Sequence, residues 1–361
     1  MHALLLVVLT MTKPPVAWTD RAGWPSPVSS AKDFDRASRA EQLVFVEVLS
    51  ALPTGGLVAA EVGLKHGDVG ALEAWKQQRR AVVLENFQRA MSTCTGDELL
   101  CPAKVPASFE VLVTQATPML ESLPDTHRAW RTEARRFHAL YVRELARLAM
   151  LSSRVSSEVA LLDASEVTGE RFGDRQFLLT FDDGPTGVGG ETDALLPVLA
   201  SQGQHAVFFT VGDAMHARKT ATGLYDGQCL ASHGASHQSH VTSPTVASKL
   251  DAWNAELGAL QNPLRWFRPP YGQRTLAQVQ ALSKQGITTM LWNIDSQDWQ
   301  APKDTGLVQG RVLTLMLLWR RGVVLFHDVH PVARAVLPGL VSEAGSAAQW
   351  VDCRGLSQSF Q

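Results

Sequence analysis

The sequence predicts an α/β fold in its second half, a parallel sheet covered by helices and either open or closed into a barrel, preceded by a mainly helical N-terminal region. Two observations carry this. From Ala31 to about Asp163, apolar residues recur at three- and four-residue steps. Beyond Ser165, strand-length runs rich in Val, Ile, Phe and Trp alternate with helix-like stretches, the pattern of a parallel sheet with crossover helices. The runs are Gln176 to Phe181, Ala206 to Val211, Leu264 to Phe267, Thr288 to Ile294 and Val323 to Phe326. The helix-like stretches include Thr192 to Ser201, Leu276 to Gln285 and Gly310 to Trp319.

In the first half, Ala40 to Leu52 and Ala71 to Met91 read as amphipathic helices. A third helix, capped by Asp125 or Thr126, carries a buried stripe of Trp130, Ala134, Phe137, Tyr141, Leu145 and Leu148. Arg131, Arg135 and Arg143 fall between these positions and are expected on a solvated face rather than against a membrane or polyanion. Pro102, Pro106, Pro118 and Pro124 are expected to punctuate the stretch between the second and third helices. No internal repeat and no recognisable chemistry occur in this half.

A chain of 361 residues is long enough for two domains. The expected division is 1–30 as signal peptide and linker, 31–165 as a helical domain and 170–361 as the α/β domain. With 45% hydrophobic and 19% charged residues, the composition is that of a globular protein. Lys plus Arg number 33 against 35 Asp plus Glu, a net charge of -2, which argues against a sequence-independent nucleic-acid binder. Ala3 to Met11 is too short to span a bilayer and resembles a signal core, with Pro15-Val16-Ala17 as the expected cleavage site before Trp18. No later run is long enough for a transmembrane segment. The expected localisation is therefore export, to the periplasm, the cell envelope or the medium. Nothing in the sequence fixes an oligomeric state.

Cys94 and Cys101 flank a turn that a local disulfide can close, while Cys229 and Cys353 either pair or stay as buried thiols. No cysteine pair has the C-x-x-C spacing of a zinc or redox motif.

Polar residues follow the apolar runs almost every time. Thr180-Phe181-Asp182-Asp183-Gly184-Pro185 ends the first run and Arg268-Pro269-Pro270-Tyr271-Gly272 the third. Asp295-Ser296-Gln297-Asp298-Trp299 ends the fourth and His327-Asp328 the fifth. Parallel strands open their C-terminal ends onto one face, so these segments are expected to share a cleft. Asp182 and Asp183 would point to opposite faces in an extended strand, and the Gly184-Pro185 turn releases that constraint. Two adjacent carboxylates repel unless a cation divides their roles, which favours one as a metal ligand and the other as a base. His233 and His237 have the spacing of one helical turn, and two histidines with a carboxylate make a facial metal site. His240 is a rival ligand. Leu325 and His327 share a strand face, placing an apolar wall beside a proton donor. Such a histidine is otherwise a hydrogen-bonded core residue, and His330 lacks the apolar approach.

Thr180 to Pro185, His233 with His237, Arg268 to Tyr271, Asp295 to Trp299 and Leu325 with His327 resemble, in order and approximate spacing, the five motifs of the NodB-homology polysaccharide deacetylases, carbohydrate esterase family four. The resemblance covers roughly Gln176 to Val341. It implies a distorted (β/α) barrel of the polysaccharide deacetylase type, behind the helical N-terminal domain. It also implies that Asp183, His233 and His237 hold a divalent metal, most readily Zn²⁺, with Co²⁺ as the alternative. Asp182 would be the base, His327 the acid, and Arg268 and Asp298 their charge partners. The Tyr271 N–H would hold the oxyanion, and Trp299 and Leu325 would wall the methyl pocket. The implied partner is a polysaccharide or oligosaccharide, namely peptidoglycan, a chitin-like chain or poly-N-acetylglucosamine. An O-acetyl esterase on xylan or exopolysaccharide, an amidohydrolase of small cyclic amides and an inactive carbohydrate-binding protein are the alternatives. The segment Gly227 to Ser232 departs from the family's usual approach to its first histidine, and Gly187 to Gly190 makes an unusually flexible loop.

Overall fold

The computed structural model describes residues 15–356 apart from 54–55, 96–97, 220–222, 240, 242–249, 251, 253, 256–257, 259–262 and 302–303. The signal-like run Ala3 to Met11 and His240 lie outside the described residues. In the N-terminal half the helices are α1 (Ala31–Ala51), α2 (Gly56–Glu61), α3 (Val69–Ala90), α4 (Phe109–Glu121) and α5 (Arg128–Leu151). Ser30 caps α1 by accepting the Asp33 N–H at 3.2 Å, and Asp68 caps α3 through the Ala71 N–H at 2.9 Å.

Two expectations need correction here. The proline-punctuated stretch contains a helix, α4, with Pro118 inside it. Ser108 caps it, and Phe109, Leu112, Ala116 and Leu120 are buried, so packing outweighs the roughly 3 kcal/mol cost of an interior proline. Neither Asp125 nor Thr126 caps α5. A 3₁₀ turn over Asp125–His127 leads into that helix, and His127 occupies the cap position without a side-chain bond. The predicted stripe from Trp130 to Tyr141 is buried, whereas Leu145 and Leu148 are only partly so.

The C-terminal half begins with β1 (Gln176–Asp182), α6 (Glu191–Ser201), β2 (Val207–Thr210), α7 (Gly212–Arg218), β3 (Cys229–Ser232) and β4 (Trp266–Phe267). It continues with α8 (Leu276–Lys284), β5 (Thr288–Thr289), β6 (Ile294–Asp295), α9 (Gly306–Trp319), β7 (Gly322–His327), α10 (Pro331–Ala344) and β8 (Gln349–Trp350). The strands pair in the order β5-β4-β3-β2-β1-β7-β6, all parallel, with β8 also paired to β1. The two edge strands, β5 and β6, are joined by only residues 290–293. A chain that short spans at most about 18 Å, so the sheet is curled until its edges meet. This is the distorted (β/α) barrel. The expected run Thr288 to Ile294 is two short strands at opposite edges of the sheet, and β3 and β8 had no expectation at all.

The seam between the edges is covered from the N-terminal side. Val167 bridges Met290, its N–H bonding to the Thr289 carbonyl at 2.9 Å, while its own carbonyl accepts the Leu291 N–H at 2.8 Å. Helix α9 is buried on nearly all sides between the sheet and α1, which explains why apolar residues dominate its sequence on every face. The last carbonyls of such a helix have no partner within it. Here Ser38 and Gln42 of α1 and Asn86 of α3 donate to Leu317, Leu318 and Trp319. The helical half thus completes α9, and one continuous apolar cluster runs from Phe34 and Phe45 through Met316 to Phe177 and Phe326.

Both disulfides are formed, Cys94–Cys101 within the helical half and Cys229–Cys353 between β3 and the C-terminal segment. Ala17 is fully buried, its N–H bonded to the Glu144 carboxylate and its carbonyl accepting from Arg311 at 2.8 Å. The Ala17–Trp18 junction is therefore part of the packed fold. No helix among the described residues is long and apolar enough to cross a membrane.

Candidate active site

The C-terminal ends of β1, β3, β4, β6 and β7 deliver the chemistry-bearing residues to one side of the barrel. Asp182 closes β1, and Asp183 follows with φ of +82°. An extended residue there would face away from Asp182, whereas this left-handed backbone brings both carboxylates towards His233. Asp182 Oδ2 lies 3.8 Å and Asp183 Oδ1 3.3 Å from His233 Nε2. Asp183 Oδ1 is also 3.1 Å from His237 Nε2.

The two histidines do not sit on a helical turn as their spacing suggested. They lie on an irregular loop after β3, where Gly234 adopts φ of +94°. The Gly234 and Ala235 carbonyls accept the N–H groups of Gly212 and Asp213 at 3.0 and 2.7 Å, and this docking on the start of α7 curls the loop so that both rings face Asp183.

A divalent cation fits these three side chains. Their ligand atoms lie within 4.8 Å of one another, and Asp183 Oδ1 is buried with no proper hydrogen-bond partner. His233 Nδ1–H donates to the Arg268 carbonyl at 2.8 Å, which leaves Nε2 as a lone pair aimed at the centre of the group. Burial pushes His237 below the ordinary histidine value, favouring the neutral ring that ligates. Burial alone would raise Asp183, but the imidazoles gathered around it, His233 foremost, outweigh that and hold the carboxyl at about 2. This is a three-residue chelating site for a divalent metal.

Asp182 is engaged differently. Arg268, fully buried, donates from Nη1 to Asp182 Oδ1 at 2.7 Å and to Thr180 Oγ1 at 2.8 Å, and its guanidinium stacks 4.0 Å from the Phe209 ring centre. Asp182 and His327 are register partners across β1 and β7, so their backbones are neighbours about 4.8 Å apart. On the far side, His327 Nδ1–H donates to Asp298 Oδ1 at 2.7 Å. Burial would lower His327, but Asp298, Asp182 and Asp183 raise it to about 10. Leu325 is buried on the same strand, Trp299 is half exposed, and Tyr271, with φ of +60°, sets its ring edge-on to His237 at 4.5 Å. His330 lies beside His327, ring centres 6.0 Å apart.

The structure also brings in residues to which the sequence reading gave no role. Buried Asp328 accepts from Thr192 Oγ1 at 2.8 Å and from the Tyr225 hydroxyl at 3.5 Å, beneath the Asp183-Gly184 turn. A Cβ at Gly184 would fall 2.0 Å from the Asp328 carboxylate, so only glycine fits. The sole sequence signal for Asp328 was its place next to His327. Arg274 is a second such residue. It donates to the Ser157, Ala160 and Gly272 carbonyls at 2.8 to 2.9 Å and pairs with the buried Glu166 carboxylate. The segment leading out of the helical half thereby props the turn that carries Tyr271.

Residues 169–290 match the polysaccharide deacetylase family. The chitooligosaccharide deacetylase of Bradyrhizobium sp. (strain ANU 289) is 30% identical over 169 residues, covering 45% of this chain and 75% of that protein. The putative polysaccharide deacetylase YheN of Bacillus subtilis (strain 168) is 31% identical over 189 residues, covering 49% of this chain and 66% of YheN. Just under two thirds of YheN is thus matched. A solved structure, the Bc1960 peptidoglycan N-acetylglucosamine deacetylase, is 20% identical with a TM-score of 0.46, covering 54% of this chain and 92% of that one. The chain belongs to the polysaccharide deacetylase family. The family match ends at residue 290, before Asp298 and His327, so for those two the geometry above stands by itself.

Proposed function

We propose that the protein is a metal-dependent deacetylase that hydrolyses acetyl groups on an N-acetylated polysaccharide such as peptidoglycan, a chitin-like chain or poly-N-acetylglucosamine. The observation that carries the reading is the division of labour around one centre. Asp183, His233 and His237 converge as ligands, while Asp182 is kept apart on Arg268 and His327 on Asp298. Zn²⁺ is the proposed ion, with Co²⁺ as a substitute; when bound, it supplies Lewis acidity and lowers the pKa of water at the site.

Asp182 is assigned as the base that takes the proton of the attacking water, with Arg268 fixing its orientation. The Tyr271 N–H is assigned to the developing oxyanion, where a preorganised donor is worth roughly 3 kcal/mol. His327 protonates the departing nitrogen, and a value raised to about 10 keeps it charged at neutral pH. An amine leaves only when protonated, so an imidazolium able to give up its proton suits N-deacetylation. Trp299 and Leu325 wall the acetyl methyl. The two disulfides support an exported protein, and we assign 31–165 as the part that buttresses the barrel by capping α9, with 170–361 carrying the chemistry.

Acetate release from chitooligosaccharides, peptidoglycan and acetylated xylan, with metal content determined on the same sample, tests the reading. The expected result is release from one of the first two, dependent on stoichiometric metal. Faster release from xylan would establish the O-esterase instead. Polymer binding without acetate release, with Zn²⁺ or Co²⁺ supplied, would establish an inactive binding protein.

A further inference from the structure

Between the helical half and the barrel seam lies a cavity of about 240 Å³, beside the loop that carries Asp298. It is smaller than the roughly 300–1,000 Å³ of pockets for drug-sized ligands, and so suits a single ring. Five aromatic side chains line it: Trp75 of α3, Tyr141 of α5, Trp292 of the seam, Trp299, and Trp319 at the end of α9. The partition from the proposed catalytic centre is thin. Gly272, next to Tyr271, packs so closely on Trp292 and the Glu158 backbone that a Cβ there would lie 3.3 to 3.4 Å from them.

The polar lining is unbalanced in a way that describes an absent partner. Arg79 pairs with Glu170 at 2.8 Å and Arg311 with Glu144 at 3.0 Å, and Arg147 is held on the Val62 carbonyl at 2.7 Å. Glu158 and Asp295 also line the cavity, and among the described residues neither forms a salt bridge, although Asp295 accepts the backbone and side-chain N–H groups of Gln297 at 2.8 Å. Each carboxyl is raised by burial, Glu158 to about 7 with Asp295 beside it adding to the effect. Trp292 is only 7% exposed, and its indole N–H is buried without a partner, as is the Arg79 Nε–H. Buried donors without partners are costly, and a ligand carrying acceptors relieves them while a positive charge on it complements the two carboxyls.

We propose that this cavity is a subsite for one hexosamine ring bearing a free amine. The ring's apolar faces lie on the aromatic walls, its hydroxyl oxygens accept from Trp292 and Arg79, and its ammonium group sits between Glu158, Asp295 and the indole faces. The proposal rests on the deacetylase reading for the origin of the amine, since a deacetylated unit is what that reaction makes. An N-acetylated ring lacks the charge and is the poorer occupant. Residues of the helical half, above all Trp75, Tyr141 and Glu158, thereby acquire a role in recognition.

Calorimetric titration of the full chain, stripped of metal so that turnover plays no part, tests this. The probes are glucosamine, N-acetylglucosamine, glucose and a β-1,4-linked glucosamine dimer. Glucosamine is expected to bind at least about tenfold more tightly than glucose or N-acetylglucosamine, the worth of one cation among carboxylates and aromatic faces. Glu158→Gln and, independently, Trp75→Phe are expected to weaken it by about the same factor, with unchanged circular dichroism. Binding of the monomer alone identifies a free hexosamine, and binding of the dimer as well a unit of the chain; either supports the site. Equal binding of glucosamine and glucose, or indifference to Glu158→Gln, overturns it. Acetate release on the metal-loaded sample reports separately on the deacetylase reading.

Discussion

Asp298 holds His327 at two points: its Oδ2 accepts the backbone N–H at 2.8 Å and its Oδ1 the ring Nδ1–H at 2.7 Å. One carboxylate therefore fixes the position of the strand end, the tautomer of the ring and its charge. Asp298 is itself buried in a 3₁₀ turn after β6, so the pair locks two neighbouring strand ends together.

Asp298→Asn should keep the fold but lose the largest influence that raises His327. The basic limb of kcat/KM, expected near pH 10 in the parent, should move down towards the ordinary histidine range, and the rate at neutral pH should fall by about 10²–10⁴-fold. A pH–rate profile checks both. The stability linkage has a definite sign. A histidine raised from 6.5 to about 10 contributes stability that is fully present below pH 6.5 and lost as pH rises through about 10. The Tm of the parent should therefore drop through that window more than that of the variant; parallel curves would contradict it.

The proposed base and the proposed metal ligands should separate cleanly on substitution. Asp182→Asn removes the proposed base while leaving Asp183, His233 and His237 intact, so metal content should stay stoichiometric while turnover falls by about 10²–10⁴-fold. His233→Ala removes a ligand whose ring is pre-oriented by Arg268. Elemental analysis should show the metal lost, and the stabilisation of the parent by added Zn²⁺ should disappear with it. Retained metal in the second variant would overturn the ligand assignment.

Arg274 and Glu166 form a buried pair that joins the helical half to the turn carrying Tyr271. Removing one partner strands the other charge, so Arg274→Met should cost about 3–5 kcal/mol in denaturant unfolding. The double variant with Glu166→Met should recover part of that loss. Simple additivity would mean the pair is not coupled.

Glu158 offers a pH test independent of the metal. Its folded value is raised to about 7, so the protein is most favoured while the group is protonated, and stability is lost as pH rises through about 7. Glu158→Gln should leave Tm unchanged near pH 4 and raise it at pH 8, a gain of roughly 1–3 kcal/mol. An equal effect at both pH values would count against it.

The strand starts were legible because buried parallel strands are continuous apolar runs, and Gln176 to Phe181 and Val323 to Phe326 lie within the observed β1 and β7. The partners Arg268–Asp182 and Asp298–His327 were legible only through the family resemblance, since no local pattern links residues 86 or 29 positions apart. Helix α4 was missed because proline spacing outvoted a modest apolar periodicity. The loop conformation of His233 and His237 was missed because a four-residue spacing reads as a helical turn unless Gly234 is recognised as a bend.

The sequence by itself determined which side chains can act and the order in which the strands present them, because residue chemistry and local periodicity are properties of short segments. It could not determine that the helical half caps α9 and walls a cavity beside Trp299, or that Val167, just after that half, bridges the seam between β5 and β6. Those are contacts between segments more than a hundred residues apart. They exist only because the sheet curls until its edges meet and leaves one flank that a second set of helices must bury.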